Sequence, residues 1–357
     1  MDCSSKQDAS VTDLYCSDCG GLFAVEYLAT PDGTMPRLPM DEPLNSNSLG
    51  EGDTPLVFLD KICNELVLGS LWAKLEFMAP TGSFKDRGSA VLTTMGRDFG
   101  VTEFIEDSSG NAGASLSAYA AAAGLTAHVF APANAASGKL DQIQIFGGSL
   151  HKIEGPRQAA TEAAEKFVKD RGLVYMSHNL SPYFSEGMKA ASYEIVEVLD
   201  DGIDHIVLPV GNGSLLIGMV RGYQELLEAG IIKKIPRFHG VQAHAVRPVV
   251  AALNGEPWSY DDVLPTNASG IAVSNPPRLK EMVEAIRATD GSGVTVSEES
   301  LTDWQVRLAS SEGVFGEMTS AGAFAGLSQL IDSGVIGKGS NVCVPITGSG
   351  LKEPLKK

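Results

Sequence analysis

Short apolar blocks and longer periodic ones alternate along most of the chain. "LWAKLEF", "EFIED", "TAHVFAP", "SLHKIEG", "LVYMSH", "DHIVLP", "RFHGVQA" and "NVCVP" read as strands. Between them, "DRGSAVLTTMGRDFG", the Ala-rich "NAGASLSAYAAAAGL", "SGKLDQIQIFGG", "RQAATEAAEKFVKDRG", "MKAASYEIVEVLDDG", "SLLIGMVRGYQELLEAG", "LKEMVEAIRATDGSG", "EESLTDWQVRLASSEG" and "SAGAFAGLSQLIDSG" read as helices. Gly100 and Gly124 fall where glycine stops a helix, and Ser137 where serine starts one. This alternation predicts an α/β fold, mainly parallel sheets flanked by helices. Residues 1–50 break the rhythm. They read as an arm with "FAVEY" as a short strand and "TPDGTMPRLP" as a Pro-rich connection.

Parallel sheets bind ligands at the carboxyl ends of their strands. Four Gly/Ser-rich loops fall at or near such ends. "DSSGNAGAS" follows "EFIED" and opens a helix; Ser108, Ser109 and Asn111 offer side-chain donors, and Gly110 and Gly113 allow close backbone approach. An ordinary turn needs one glycine and a cap, so this loop points to a ligand. "PVGNGSLLIG" follows "DHIVLP" and opens another helix, where bare amides and the helix dipole suit a phosphate. It is not a Walker loop, because no Lys-Ser/Thr follows, and not a G-x-G-x-x-G dinucleotide turn, because Gly211, Gly213 and Gly218 are spaced differently. "PITGSGLKEP" follows "NVCVP" and puts Thr347 and Ser349 at the sheet's end. The fourth loop, "TGSFKDRG", sets Lys85 in a polar turn at the start of a helix.

A lysine amine titrates near 10.4 in water, and desolvation or neighbouring charge lowers that value and makes it a nucleophile. Its characteristic covalent use is a Schiff base, including the one with pyridoxal phosphate. That coenzyme needs a lysine, a phosphate cradle, a donor to its phenolic oxygen and a partner for its ring nitrogen. The four loops supply one candidate for each.

Composition narrows the reading without redirecting it. The 357 residues exceed one minimal core, and 43% are hydrophobic and 20% charged, as in ordinary globular enzymes. A net charge of −17 repels nucleic acid and anionic membrane surfaces. The start "MDCSSKQDAS" lacks the basic and apolar parts of a signal peptide, and no run of 18 apolar residues exists, which points to the cytoplasm. Five cysteines make no disulfide framework. Cys16 and Cys19 have C-x-x-C spacing, as in half of a zinc knuckle, and Cys3 offers a third thiol; the other reading is a small hairpin with free thiols. No complete metal site is expected. His128, His151 and His239 read as structural, while His178 and His244 sit at strand ends.

In "APTGSFKDRG", "SSGNAGAS", "PVGNGSLLIG" and "TGSGLK" the chain resembles the pyridoxal-phosphate enzymes of the tryptophan synthase β-type fold, or fold type II. Within that group it is most similar to the threonine synthase family, in "SLGEGDTPLV", "GIAVSNPPR", "GEMTSAGAFAGL" and "YCSDCGGLFAVEY" as well. The resemblance implies that Lys85 holds the coenzyme and later moves protons. Asn111 bonds the phenolic oxygen, Gly211, Asn212, Gly213, Ser214 and Leu215 cradle the phosphate, and Thr347 faces the ring nitrogen. Ser83, Ser108, Ser109 and Lys189 lie near the substrate. A hydroxyl at the ring nitrogen makes a milder electron sink than an aspartate would, suited to elimination and replacement. In threonine synthase, phosphate leaves the γ carbon of O-phospho-L-homoserine and water adds at the β carbon. The alternative keeps the coenzyme and performs β-elimination or β-replacement on a serine- or threonine-like amino acid, as an ammonia-lyase or a cysteate- or cysteine-type synthase does. The chain departs from the threonine synthase pattern at Phe184, where many members have an arginine that helps hold the substrate phosphate, with Lys189, Arg157 or Arg278 as the cations left to compensate. The expected partner is a small amino-acid substrate, phosphorylated in the first reading, and the expected assembly a homodimer. The expected organisation is an arm at 1–50, a large coenzyme-binding domain at 51–94 and 196–357, and a small mobile domain at 95–195.

Overall fold

The alternating blocks fold into two sheets, each inside its own unit of the chain. The computed structural model describes residues 3–28, 38–39, 47–135, 137–155, 157–200 and 202–353. Most of the Pro-rich connection and the side chain of the expected cap Ser137 lie outside the described residues. One unit comprises residues 1–51 and 85–187, the other 52–84 and 188–357.

In the first unit, β3 (Glu103–Glu106), β4 (Thr126–Pro132), β5 (Ser149–Ile153) and β6 (Val174–Tyr175) form a parallel sheet in the order β5-β4-β3-β6. Its helices are α2 (Lys85–Asp98), α3 (Asn111–Ala123), α4 (Ser137–Ile145), α5 (Arg157–Arg171) and α6 (Pro182–Gly187). Gly124 ends α3 in the left-handed conformation, as its position in the sequence predicts.

The second unit holds β1 (Leu56–Phe58), α1 (Asp60–Glu65), β2 (Ser70–Lys74), α7 (Ala190–Leu199), β7 (His205–Pro209), α8 (Ser214–Glu228), β8 (Arg237–Ala243), α9 (Pro248–Asn254), α10 (Leu279–Ala288), β9 (Gly293–Val296), α11 (Glu298–Glu312), α12 (Met318–Asp332) and β10 (Asn341–Pro345). The six strands run in the order β1-β2-β10-β7-β8-β9, parallel except for the β1–β2 pair. Such strands are covered on both faces, so they carry near-continuous apolar runs rather than alternating ones. β7 is buried at all five positions. Its Val207, with Val241, Val342 and Val344, packs with Leu301, Leu308 and Phe324 of α11 and α12 in the main core. Lys74 ends β2 with its ammonium buried, held by Glu194 at 2.5 Å and by the Thr54 carbonyl.

Two expectations are corrected, and one element is added. "FAVEY" forms no strand; Leu22 makes a single bridge to Tyr15. The helix expected from Met188 is found as α7, and the short α6 before it, in "PYFSEG", is an element the sequence reading did not assign. "LVYMSH" keeps only two residues of strand, Val174 and Tyr175, with Met176 N–H still donating to Ile105 O of β3 at 3.0 Å.

His239 lies fully buried in β8, its Nε2 2.9 Å from His205 Nδ1 and its Nδ1 2.8 Å from Ser292 Oγ. Burial, and then the neighbouring His205, push its imidazole down to about 3. Unfolded, a histidine titrates near 6.5. Between those values the unfolded chain binds a proton that the folded chain refuses, so stability falls as pH drops below about 6.5, by about 1.4 kcal/mol per pH unit for this histidine. His239→Asn should flatten the slope by about that amount between about pH 6 and pH 4.5. Urea midpoints at fixed pH values measure it; an unchanged slope would show that the ring is charged when folded.

Candidate active site

Each of the four loops lies at the carboxyl end of a strand or just past it. Three belong to the second unit, and they end three neighbouring parallel strands: residues 75–84 follow β2, 346–349 follow β10, and 210–213 follow β7. The first two are stitched together. Phe84 N–H donates to Thr347 O at 3.0 Å, Ser349 N–H donates to Gly82 O at 3.0 Å, and Ser83 bridges Gly348. Lys352 Nζ donates to Thr81 O at 2.8 Å. The polar turn that leads into Lys85 is thereby held by backbone on both sides.

Thr347 is buried, and its hydroxyl lies 2.9 Å from Ser320 Oγ and donates to Glu317 Oε1 at 3.3 Å. Glu317 and Ser320 begin α12 and are themselves buried. A hydroxyl whose proton goes to a carboxylate turns a lone pair to its other side. Among the described residues, the buried Ser83 hydroxyl has no hydrogen-bond partner, the condition of a group kept for a ligand.

The β7 loop enters α8 through Gly213, which sits at φ 85°. It has no side chain to cap the helix, so the first amides of α8 point out unanswered by any cap. Backbone and a methionine side chain crowd this loop from behind. A Cβ on Gly211 would lie 2.6 Å from Gly270 O, and one on Gly213 would lie 2.2 Å from Met282 Sδ. The loop is small because its neighbours leave no room, and a phosphate needs such a loop with outward amides.

The remaining candidates lie in the first unit. Lys85 opens α2, half-buried, with Nζ 5.7 Å from the centroid of the Phe184 ring. Phe184 is fully buried in α6. α6 approaches α2 closely: a Cβ on Gly187 would lie 2.1 Å from Arg87 O. α3 is tied to α2 by Ser115 Oγ, 2.6 Å from Asp86 Oδ1 and 2.7 Å from Ser89 Oγ. Asn111 starts α3, behind the buried Ser108 and the half-buried Ser109, and Ser108 Oγ accepts from Gly110 N–H at 3.3 Å.

Glu106 and His178 were not singled out as a pair by the sequence. Glu106 closes β3, fully buried. Its Oε1 shares a 2.5 Å hydrogen bond with His178 Nδ1, and its Oε2 accepts from His178 N–H at 3.1 Å. His178 meets the Phe184 ring edge-on at 5.7 Å. Burial and then the adjacent Asp107 hold the Glu106 carboxyl well above the usual carboxylate range. Burial and then the charge of Lys85 hold His178 well below its usual value. An acidic residue at the end of a short strand, immediately before the serine loop, was the available signal. Glu317 and Ser320 carried a weaker one, the polar residues of "GEMTSAG" at a helix start.

Lys189 is buried, with its ammonium 2.7 Å from Glu225 Oε1. Arg278 pairs with Glu281 at 2.8 Å, and Arg157 is exposed.

Gly213→Ala tests the β7 loop. A side chain at φ 85° strains the turn and crowds Met282, costing about 1–2 kcal/mol. It should also turn the first amides of α8 aside, so the concentration of pyridoxal 5'-phosphate that half-saturates the protein should rise about tenfold. The visible absorbance of bound coenzyme reads this out, and equal saturation would mean that the loop holds no phosphate.

Comparison with known proteins supplies the family. The family model described as pyridoxal-phosphate dependent enzyme matches residues 47–348. The threonine synthase of Methanocaldococcus jannaschii is 31% identical over 96% of this chain and 89% of its own. That of Methanosarcina acetivorans is 33% identical over 99% and 91%, and that of Mycobacterium tuberculosis 35% identical over 89% and 87%. Among solved structures, O-ureido-L-serine synthase matches with a TM-score of 0.71 at 21% identity, over 87% of this chain and 92% of its own. The processed form of threonine deaminase isoform 2 from Solanum lycopersicum matches with a TM-score of 0.72 at 20% identity, over 86% and 81%. These two show the shared fold.

Proposed function

The chain belongs to the family of pyridoxal-phosphate dependent enzymes, and from that premise we propose that it works as a threonine synthase, converting O-phospho-L-homoserine and water to L-threonine and inorganic phosphate. It is a pyridoxal-phosphate dependent lyase. The observation that carries the reading is the placing of three small-residue loops at the ends of β2, β10 and β7, with Lys85 next in the chain after one of them. The described residues fit the coenzyme: a capless helix start for its phosphate, a buried hydroxyl pair for its ring nitrogen, and a half-buried lysine for its aldehyde.

When bound, the coenzyme withdraws electrons from the substrate's α carbon, so that bonds at the α, β and γ carbons break and form. The protein does the rest. The amides of Gly211–Leu215 hold the phosphate at the mouth of α8. Asn111 donates to the phenolic oxygen. Thr347 would face the ring nitrogen as a neutral partner, and its hydroxyl could donate either to that nitrogen or to Glu317. Lys85 would hold the aldehyde end, and its amine would move protons at the substrate's carbons. Ser83, Ser108 and Ser109 hold the substrate carboxylate. The C–O bond at the γ carbon breaks, inorganic phosphate leaves, and a water oxygen bonds to the β carbon. Lys189 enters this reading as a cation whose charge is shared with Glu225.

One observation favours a second reading. Phe184 stands at the position where the resemblance implies a phosphate-holding arginine, and its buried ring, not a guanidinium, faces Lys85. An apolar wall suits a substrate whose side chain bears no phosphate. That substrate is a serine- or threonine-like amino acid undergoing β-elimination or β-replacement. Purified coenzyme-loaded protein separates the two. Phosphate release from O-phospho-L-homoserine with threonine formed supports the first; ammonia release from serine or threonine, without it, replaces the first with the second.

Two substitutions carry numbers. Lys85→Ala should remove the visible absorbance of the lysine-bound coenzyme and lower turnover by about 10³-fold or more. An unaltered spectrum would sink both readings. Phe184→Arg should lower KM for O-phospho-L-homoserine about tenfold, the worth of one charge-assisted bond, and leave KM for serine within about twofold.

A further inference from the structure

The arm carries three of the five cysteines, and the proposed chemistry uses none of them. Residues 16–21 form a tight knuckle. Cys16 N–H donates to Gly21 O at 2.8 Å, Gly20 N–H donates to Cys16 O at 2.9 Å, and Tyr15 and Leu22 bridge across its base. The turn brings Cys19 back beside Cys16. Cys3 arrives from the preceding stretch, with Sγ 3.4 Å from Cys19 Sγ and 3.7 Å from Cys16 Sγ. All three sulfurs lie within 4.8 Å of one another.

Tetrahedral ligation with Zn–S bonds of about 2.3 Å sets neighbouring sulfurs about 3.8 Å apart, close to the spacing observed. A disulfide would need about 2.05 Å. The backbone around the cluster points the same way. Gly21 N–H donates to Cys19 Sγ at 3.4 Å, a contact that orients this sulfur as a ligand. Lys6 stands where C-x-x-C spacing from Cys3 would put a fourth thiol, and its ammonium pairs with Glu26 at 2.6 Å. Among the described residues, no other histidine, cysteine or carboxylate joins the cluster.

We propose that Cys3, Cys16 and Cys19 bind a soft divalent transition metal of the zinc class as three thiolates, with water as the fourth ligand. Binding releases the thiol protons and fastens the two stretches of the arm to each other. The arm in turn meets α6, the helix of Phe184: Ser10 N–H donates to Tyr183 Oη at 3.1 Å and Tyr27 Oη donates to Glu186 Oε2 at 2.6 Å. The metal therefore staples a segment that braces one wall beside Lys85.

The test uses the full chain, purified in reductant, titrated with cobalt(II) and then challenged with zinc(II). Thiolate-to-cobalt charge-transfer absorbance and strong tetrahedral d–d bands should saturate at one ion per chain and vanish on adding zinc. Cys16→Ser and Cys3→Ser should each weaken binding at least about a hundredfold, while Cys343→Ser, far inside the sheet, leaves it unchanged. Zinc should also shield three thiols of the unsubstituted chain from a thiol reagent, a readout that stands if a variant fails to fold. Absence of the cobalt bands, binding that survives both arm substitutions, or no shielding would overturn the proposal. None of these readouts depends on the coenzyme, so the outcome is independent of the catalytic reading.

Discussion

A parallel strand always delivers its chain to the same end of the sheet. The site proposed for this protein rests on that constraint. With β2, β10 and β7 adjacent and parallel, three turns far apart in sequence arrive side by side. No loop has to travel to reach its neighbour. Backbone hydrogen bonds join the first two turns, and packing from residue 270 and Met282 forces the third to be small. The placement of the chemistry is thus a property of the sheet, and the side chains of the loops need only be short enough not to interfere.

Much of this was legible in the sequence, for a physical reason. Turns that carry ligands break the usual economy of one glycine and one cap, so they stand out as composition. Buried parallel strands also stand out, because water on neither face leaves them uniformly apolar. What stayed hidden was whatever depends on distant residues meeting. Glu106 and His178 lie far apart in the chain, and neither is unusual until burial removes water from both. Glu317 behind Thr347 is the same case. "FAVEY" misled because its residues favour a strand on their own, yet among the described residues no strand pairs with them. A strand propensity without a partner is not a strand.

The pairing of Glu106 with His178 places two titratable groups in the unit of Lys85 and leaves both averse to charge. Burial alone does most of this. The Phe184 ring joins them, edge-on to His178 and 5.7 Å from Lys85 Nζ, so an aromatic face borders the lysine.

Neither compact unit is a continuous stretch of sequence. The chain passes from one to the other after residues 51, 84 and 187. No single cut in the gene therefore yields either half intact. Recombination that exchanged one module for another would have to swap two separate segments at once, and a ribosome finishes the smaller unit's residues while most of the larger one is still unsynthesised. The order of translation thus gives the smaller unit the earlier chance to close.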